Sequence, residues 1–263
     1  MSALLRLSPT AISRYRTCAK SFLLTDVERR VRHEQPSPLL AVGNAIHHAL
    51  ERFFGLQVED RSADTLERAL RAVWPEHRKR AGFRSRDEEA AHGVAAIAML
   101  RGFADSYEIS AIPIAREQWV STRLPSGIEV FGKVDRVDRL PSGSLDVIDY
   151  KTGRRMIEPE EMSDDPAAQI YLLATEEKYG EQVERVRFLY LATGQEVRWS
   201  PEREDIAAVK ERLAELTTRL TRETEWEANP GFACRTCTVS HHCDDYGRVT
   251  LDDLVVETAV LPF

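Results

Sequence analysis

Phe131-Gly132-Lys133-Val134-Asp135-Arg136-Val137-Asp138 and, after a turn, Val147-Ile148-Asp149-Tyr150-Lys151-Thr152-Gly153 form the stretch from which the fold is read. Apolar and polar residues alternate through both segments, which is the period of a β-strand. Pro141-Ser142-Gly143 between them is a turn signal. Alternate residues of a strand share a face, so Asp149 and Lys151 point the same way. A carboxylate and an ammonium at that spacing can serve one reacting phosphate. Asp135 and Asp149 offer the oxygen ligands that hard divalent cations such as Mg²⁺ or Mn²⁺ take. A metal held there would polarise a phosphate and lower the pKa of a bound water. Lys151 would position that water, acting as base, or stabilise charge in the transition state.

Working outward, residues 114–124 and 128–139 read as a hairpin around Pro125-Ser126-Gly127. Leu145–Lys151 is then a third strand, Pro166–Tyr179 a helix, and 184–192 and 195–199 two more strands. A long charge-rich amphipathic helix is predicted over 202–225. Upstream the pattern is helical. Ser8-Pro9 reads as a helix start that carries Ile12 and Tyr15 inward and delivers Cys18 near the helix end. A Pro-rich break, Gln35-Pro36-Ser37-Pro38, precedes a helix over 39–54, and two more are predicted over 62–80 (with Pro75 as a potential break) and 87–110. The order is that of an α/β core with a helical N-terminal extension. We expect one domain over 1–263: a mainly helical part at 1–110, the core at 111–200, and a helix with a cysteine-rich segment at 201–263.

The 263 residues are 43 % hydrophobic and 30 % charged, which is the make-up of an ordinary globular chain able to bury a core without disulfides. No apolar run is long enough for a membrane helix, and the first residues lack the core of a signal peptide. The expected location is therefore cytoplasmic. A net charge of −7 argues against a protein that coats nucleic acid with its whole surface, but not against local basic patches. Three such groups are Arg29, Arg30 and Arg32, then Arg78, Lys79 and Arg80, then Arg154 and Arg155.

Gly-Lys-Val-Asp-Arg-Val-Asp followed by Asp-Tyr-Lys-Thr-Gly resembles the PD-(D/E)XK nucleases, and within them the RecB-like branch. Alone, Asp-x-Lys is a polar strand face and a single helical histidine is a core or surface residue. The conjunction of several such features in one order is what argues. The resemblance implies a metal-binding His in a Gly-x-x-x-His helix, which Gly43-Asn44-Ala45-Ile46-His47 supplies, and a Glu before the first Asp, which Glu117 fits. Glu51, one turn after His47, could orient its imidazole. The branch also has a Gln and a Tyr on the following helix that orient the lysine and DNA. Gln169 matches, but the position one turn later is Leu173 and the tyrosine is Tyr171. The implied site is His47, Asp135 and Asp149 on the metal, Lys151, Glu117 and Gln169 in catalysis, and Arg154, Arg155 and Tyr171 toward DNA.

Cys234-Arg235-Thr236-Cys237 and Cys243 crowd together near the C-terminus, while Cys18 is far upstream. Disulfides are uncommon inside cells, so this pattern asks for a metal. Four thiolates suit an iron–sulfur cluster or zinc, and His241 or His242 could replace Cys18 in a zinc site. One distant and three clustered cysteines, with Arg14-Tyr15-Arg16-Thr17-Cys18 upstream, resemble the 4Fe-4S arrangement of some RecB-like nucleases, namely AddB-type subunits and the exonucleases of CRISPR adaptation. The resemblance implies an exonuclease on DNA ends, single strands favoured, serving repair, recombination or defence. No Walker A motif is present, so a helicase or repair partner is the expected companion. The alternative is a catalytically silent or zinc-stabilised DNA-binding subunit of a larger helicase–nuclease complex.

Overall fold

The computed structural model describes residues 6–30 and 37–246. Arg32, the Gln35-Pro36 half of the expected break, residues 1–5 and residues 247–263 lie outside the described residues. A two-residue strand, β1 (Arg6–Leu7), opens the chain, and Ser8 then caps α1 (Pro9–Thr17) by accepting from the Ala11 amide. A short α2 (Ala19–Phe22) runs into a π-turn at Leu23–Val27. Ser37, Ser62 and Ser85 each cap the helix that follows: α3 (Pro38–Phe53), α4 (Ala63–His77) and α5 (Arg86–Ser106). α4 continues through Pro75 rather than breaking there and ends in a 3-10 turn, Arg78–Arg80. Proline near a helix end costs a single backbone hydrogen bond, which packing against the neighbouring helices offsets.

The sheet follows: β2 (Ala115–Arg123), β3 (Glu129–Arg139) and β4 (Leu145–Lys151), then α6 (Pro166–Tyr179), β5 (Val183–Tyr190), β6 (Gln195–Trp199) and α7 (Arg203–Arg222). β2–β3–β4 is an antiparallel meander, β4 and β5 are parallel across α6, and β6 returns antiparallel. The expected mixed α/β sheet flanked by helices is the observed fold. Two cores lie on its two faces. One joins α1, α6 and α7 to Val134, Val147 and Phe188, and the other joins α3, α4 and α5 to Ile148, Tyr150 and Leu189.

Two irregularities of this sheet position everything that follows. β3 pairs with β4 only between Arg136↔Ile148 and Arg139↔Leu145, while its opposite end pairs with β1 at Glu129 and Val130. The sheet therefore splits beyond Arg136, and β4 runs on without β3. At the same level the pleat turns over. Val120 and Val134 face the α6 side, and so do Ala115 and Val137, which have the opposite parity. The inversion falls at Glu117, whose φ is 47°, and at Asp135 opposite it, between the pairs Arg116↔Arg136 and Gln118↔Val134.

Gly132 fits this close packing. A Cβ there would come within 2.7 Å of Cε1 of Tyr171 on α6. Gly132→Ala should therefore overpack the strand–helix contact and cost about 1–3 kcal/mol. For a chain of this size that lowers Tm by roughly 2–4 °C per kcal/mol, read by thermal melting. An unchanged Tm would mean that the Tyr171 ring does not pack there.

Candidate active site

The side chains that meet in the split come from four elements. Asp135, buried on β3, accepts a hydrogen bond from the Tyr150 amide of β4 at 2.7 Å through Oδ2. Its carboxylate thereby takes the place of the ladder bond that the diverging strands no longer make. Its Oδ1 lies 3.0 Å from Nδ1 of His47 on α3. α3 comes this close because Gly43 has no side chain: a Cβ there would sit 3.2 Å from Thr152 Oγ1, just past β4. Glu117 completes the group, with Oε1 3.6 Å from the same His47 nitrogen and its other oxygen ion-paired with Lys133. One ligand atom from each of His47, Glu117 and Asp135 can be chosen so that all lie within 4.8 Å of one another. An imidazole and two carboxylates make a donor set suited to Mn²⁺ or Mg²⁺.

The electrostatics ask for a cation at this point. Burial disfavours a charged His47, yet the Asp135 charge and the imidazole's hydrogen bonds to Asp135 and Glu117 push its pKa up to about 10. Asp135 is itself raised to about 6, first by burial and then by the Asp149 charge, against the pull of His47. Holding Glu117 at a left-handed φ costs on the order of 1–3 kcal/mol, a strain found where surrounding contacts force a side chain into a site.

Asp149 and Lys151 share a face of β4, as the alternation requires, with Oδ2 and Nζ 2.7 Å apart. Asp149 is not in the compact three-residue group. Its partners are Lys151 and the Tyr171 hydroxyl. Burial opposes the charge on Lys151, but Asp149 outweighs it and keeps the ammonium above its usual pKa. Its Nζ also lies 4.2 Å from the centre of the Phe188 ring. Gln169 is buried on α6, donating to the Ser163 carbonyl at 2.8 Å, and its Oε1 has no hydrogen-bond partner among the described residues. Tyr171, expected toward DNA, is buried, and burial and the charges of Asp149 and Asp135 hold its hydroxyl protonated. Its place is inside the core, beside Asp149. Arg154 and Arg155 are exposed just past β4. A cleft of about 850 Å³ opens over His47, Glu117, Lys133 and Asp135, with Arg80 and the exposed Glu51 on its wall. The His47 partners are Asp135 and Glu117, so its Nδ1 is oriented by those carboxylates and not by Glu51.

Two features escape the sequence reading. Lys133 shares a strand face with Asp135, a signal present in the alternation, and it neutralises Glu117. His48 and His77 are linked at 3.2 Å across α3 and α4, and no sequence spacing announces that pair.

Cys18, Cys234, Cys237 and Cys243 line one small pocket, although more than two hundred residues separate the first from the others. Amides of Ser21 and Asn229 each approach Cys18 Sγ at 3.4 Å, and Ser21 Oγ lies 3.6 Å from Cys237 Sγ. His241 and His242 sit on the intervening 3-10 turn at Ser240–His242. No helix among the described residues is long and apolar enough to cross a membrane.

A family model described as the PD-(D/E)XK nuclease superfamily matches residues 6–244. A comparison with curated protein sequences gives no match. Among solved structures, one from Eubacterium rectale, provisionally assigned as an exonuclease, aligns over 98 % of this chain and 91 % of its own, with TM-score 0.52 and 11 % identity. The structure of the protein SSO0001 aligns over 94 % and 89 %, with TM-score 0.45 and 11 % identity. At these identities the first likeness concerns the fold alone, and the second carries no weight.

Because His47 is held protonated up to about pH 10 in the metal-free fold, a divalent cation must displace that proton. The sign follows. A raised histidine pKa stabilises the metal-free protein fully below about 6.5, and that contribution fades as pH rises toward about 10. Mg²⁺ binding should therefore tighten by up to about tenfold per pH unit between pH 7 and 9, with proton release seen by calorimetry in buffers of different ionisation enthalpy. His47→Ala should abolish that release, and a pH-independent affinity in the unaltered protein would refute the assignment.

Proposed function

The chain belongs to the PD-(D/E)XK nuclease superfamily, and on that premise we propose that it is a divalent-metal-dependent DNA exonuclease of the RecB-like branch. The observation that carries the reading is the convergence of His47, Glu117 and Asp135 within 4.8 Å, beside the Asp149–Lys151 pair at 2.7 Å. His47, Asp135 and Glu117 would hold the metal, with Asp149 at its edge. When bound, the metal supplies a polarised phosphate oxygen and a water of lowered pKa. Lys151 remains protonated against Asp149, so it serves as the charge stabiliser of the scissile phosphate rather than as the base. Tyr171 holds Asp149 from α6, and Gln169, whose Oε1 is unpartnered, would assist from the same helix. The exposed Arg154 and Arg155 and the cleft-wall Arg80 would meet the DNA backbone. We read the whole chain as one nuclease domain acting on DNA ends, single strands favoured, in the cytoplasm and with a helicase or repair partner.

For the cysteines, we propose an iron–sulfur centre, with zinc as the alternative. Zn–S bonds of about 2.3 Å place tetrahedral thiolates about 3.8 Å apart. Among the described residues no three of these thiols lie within 4.8 Å of one another. The four cysteines gathered on one pocket and the amides at Cys18 Sγ support a metal centre there, which we read as a 4Fe-4S cluster held by Cys18, Cys234, Cys237 and Cys243.

End-labelled single- and double-stranded DNA, incubated with anaerobically purified protein and Mn²⁺ or Mg²⁺, tests the activity. Cleavage should need the metal and fall at least about a hundredfold in Lys151→Ala, a loss typical of removing one charge stabiliser. No cleavage of either substrate by cluster-loaded protein would favour a silent DNA-binding subunit. The same preparation should carry about four iron and four sulfide per chain. Cys234→Ser should lose both and melt earlier, whereas about one zinc and no iron would establish the zinc alternative.

A further inference from the structure

Past Glu117 and Asp135, the β2–β3 face turned away from α6 carries a row of side chains unusual for solvent. On β2 the exposed Trp119, Ser121 and Arg123 alternate with buried Val120, Thr122 and Leu124. On β3 Phe131 and Lys133 alternate with buried Val130, Gly132 and Val134. Trp119 is 57 % exposed although its ring is a large apolar surface. It lies 5.8 Å from Phe131 at an interplanar angle of 35°, and the Arg6 guanidinium sits 4.4 Å above the other ring. Arg6, Trp119, Ser121 and Phe131 outline a shallow pocket of about 340 Å³.

This pocket lies beside the catalytic cleft on the same β2–β3 face. Lys133 lines the cleft and stands directly across from Trp119 in the strand register. Trp119 is two residues from Glu117, about 7 Å along β2, and Phe131 is four from Asp135, about 13 Å along β3. Exposed Lys133 pairs with the mostly buried Glu117, and exposed Arg6 with Glu129 at 3.0 Å. The Arg6–Glu129 pair lies at the surface and contributes little, so Arg6 can exchange that carboxylate for a phosphate, while Lys133 keeps Glu117 and still presents its exposed ammonium.

We propose that the Trp119–Phe131 pocket is a base-stacking subsite for the DNA strand that enters the cleft. It rests on the nuclease reading above. A base stacks on Trp119, flanked by Phe131, while Lys133 and Arg6 meet the phosphates on either side. Stacking needs a base free of its complement, so the subsite selects single-stranded over duplex DNA a few nucleotides from the scissile phosphate. Exposed aromatic residues also mark protein interfaces. Here the flanking cations and the strand pairing of Trp119 with Lys133 at the edge of the cleft favour nucleic acid.

The test is binding of a fluorescein-labelled oligothymidylate by anisotropy, in EDTA so that nothing is cut, with tryptophan quenching as a second readout. Trp119→Ala should weaken binding about tenfold, Trp119→Phe should retain most of it, and duplex binding should change little in either. Ser121→Glu keeps the ring but sets a negative charge in the pocket, and it should also weaken binding. Thermal melts and Mn²⁺-dependent hydrolysis of bis(p-nitrophenyl) phosphate, with Lys151→Ala as its blank, report on fold and chemistry separately. Oligothymidylate binding by Trp119→Ala as tight as by the unaltered chain overturns the subsite and points to a protein interface. Hydrolysis that persists in that case leaves the nuclease reading standing. Hydrolysis absent even from the unaltered chain would instead sink the nuclease reading, whichever way the anisotropy falls.

Discussion

A buried carboxylate replacing one backbone hydrogen bond is the constraint on which this molecule turns. Where β3 and β4 separate, the Tyr150 amide would be left unpaired in the core, and an orphaned buried donor costs about 1–3 kcal/mol. Asp135 accepts from it at 2.7 Å and so lets the sheet split without that loss. A buried carboxylate is itself costly, which is why its pKa is raised to about 6. The positive charge that offsets it, His47 or a bound cation, must then sit in the mouth of the split. The opening in the sheet and the demand for a cation are one feature.

The other distortions serve the same point. If β2 and β3 kept a regular pleat, Glu117 and Asp135 would still be opposite each other, but the strands beyond could not return the proper faces to both cores. The inversion, with Glu117 at φ 47°, keeps Val137 and Ala115 on the side of Val134 and Val120. The strain is concentrated in a residue whose side chain reaches both His47 and Lys133. Beyond the inversion the face opposite α6 is left open, which is where Trp119 and Phe131 lie.

Much of this was legible in the sequence, for local reasons. β4 and α6 fall on their expected ranges because Pro141-Ser142-Gly143 and Asp165-Pro166 punctuate them, and Asp149 and Lys151 meet because strand alternation is geometric. The motif Gly43-x-x-x-His47 has a visible cause in the closeness of α3 to Thr152. What did not read out depends on pairing between distant segments. β1 is two residues long and exists only because β4 has left an edge of β3 free, and no periodicity can show in two residues. The left-handed φ of Glu117 falls on a residue type that gives no warning of it. Tyr171 was judged by its offset from Gln169 on the helix, whereas its position follows from the missing Cβ of Gly132.

The cysteine end of the chain bears on the same site through packing. Cys18 ends α1, and the Lys20 amide just beyond donates to the Glu227 carbonyl. Phe22 stacks on Trp226 with ring centres 5.9 Å apart, and the Tyr15 hydroxyl donates to Glu223 at 3.0 Å. These contacts bind the C-terminal segment to α1 and α2, and α1 in turn packs on α6. α6 carries Tyr171, which bonds Asp149 of the Asp149–Lys151 pair. A centre that tied Cys18 to the other three thiols would therefore brace the helix behind the Asp149–Lys151 pair without contributing an atom to it. Its loss would loosen that backing while leaving His47, Glu117 and Asp135, which hang from α3, β2 and β3, in place. The cysteine end and the candidate metal-binding group are thus separable, because they pack on opposite faces of the sheet.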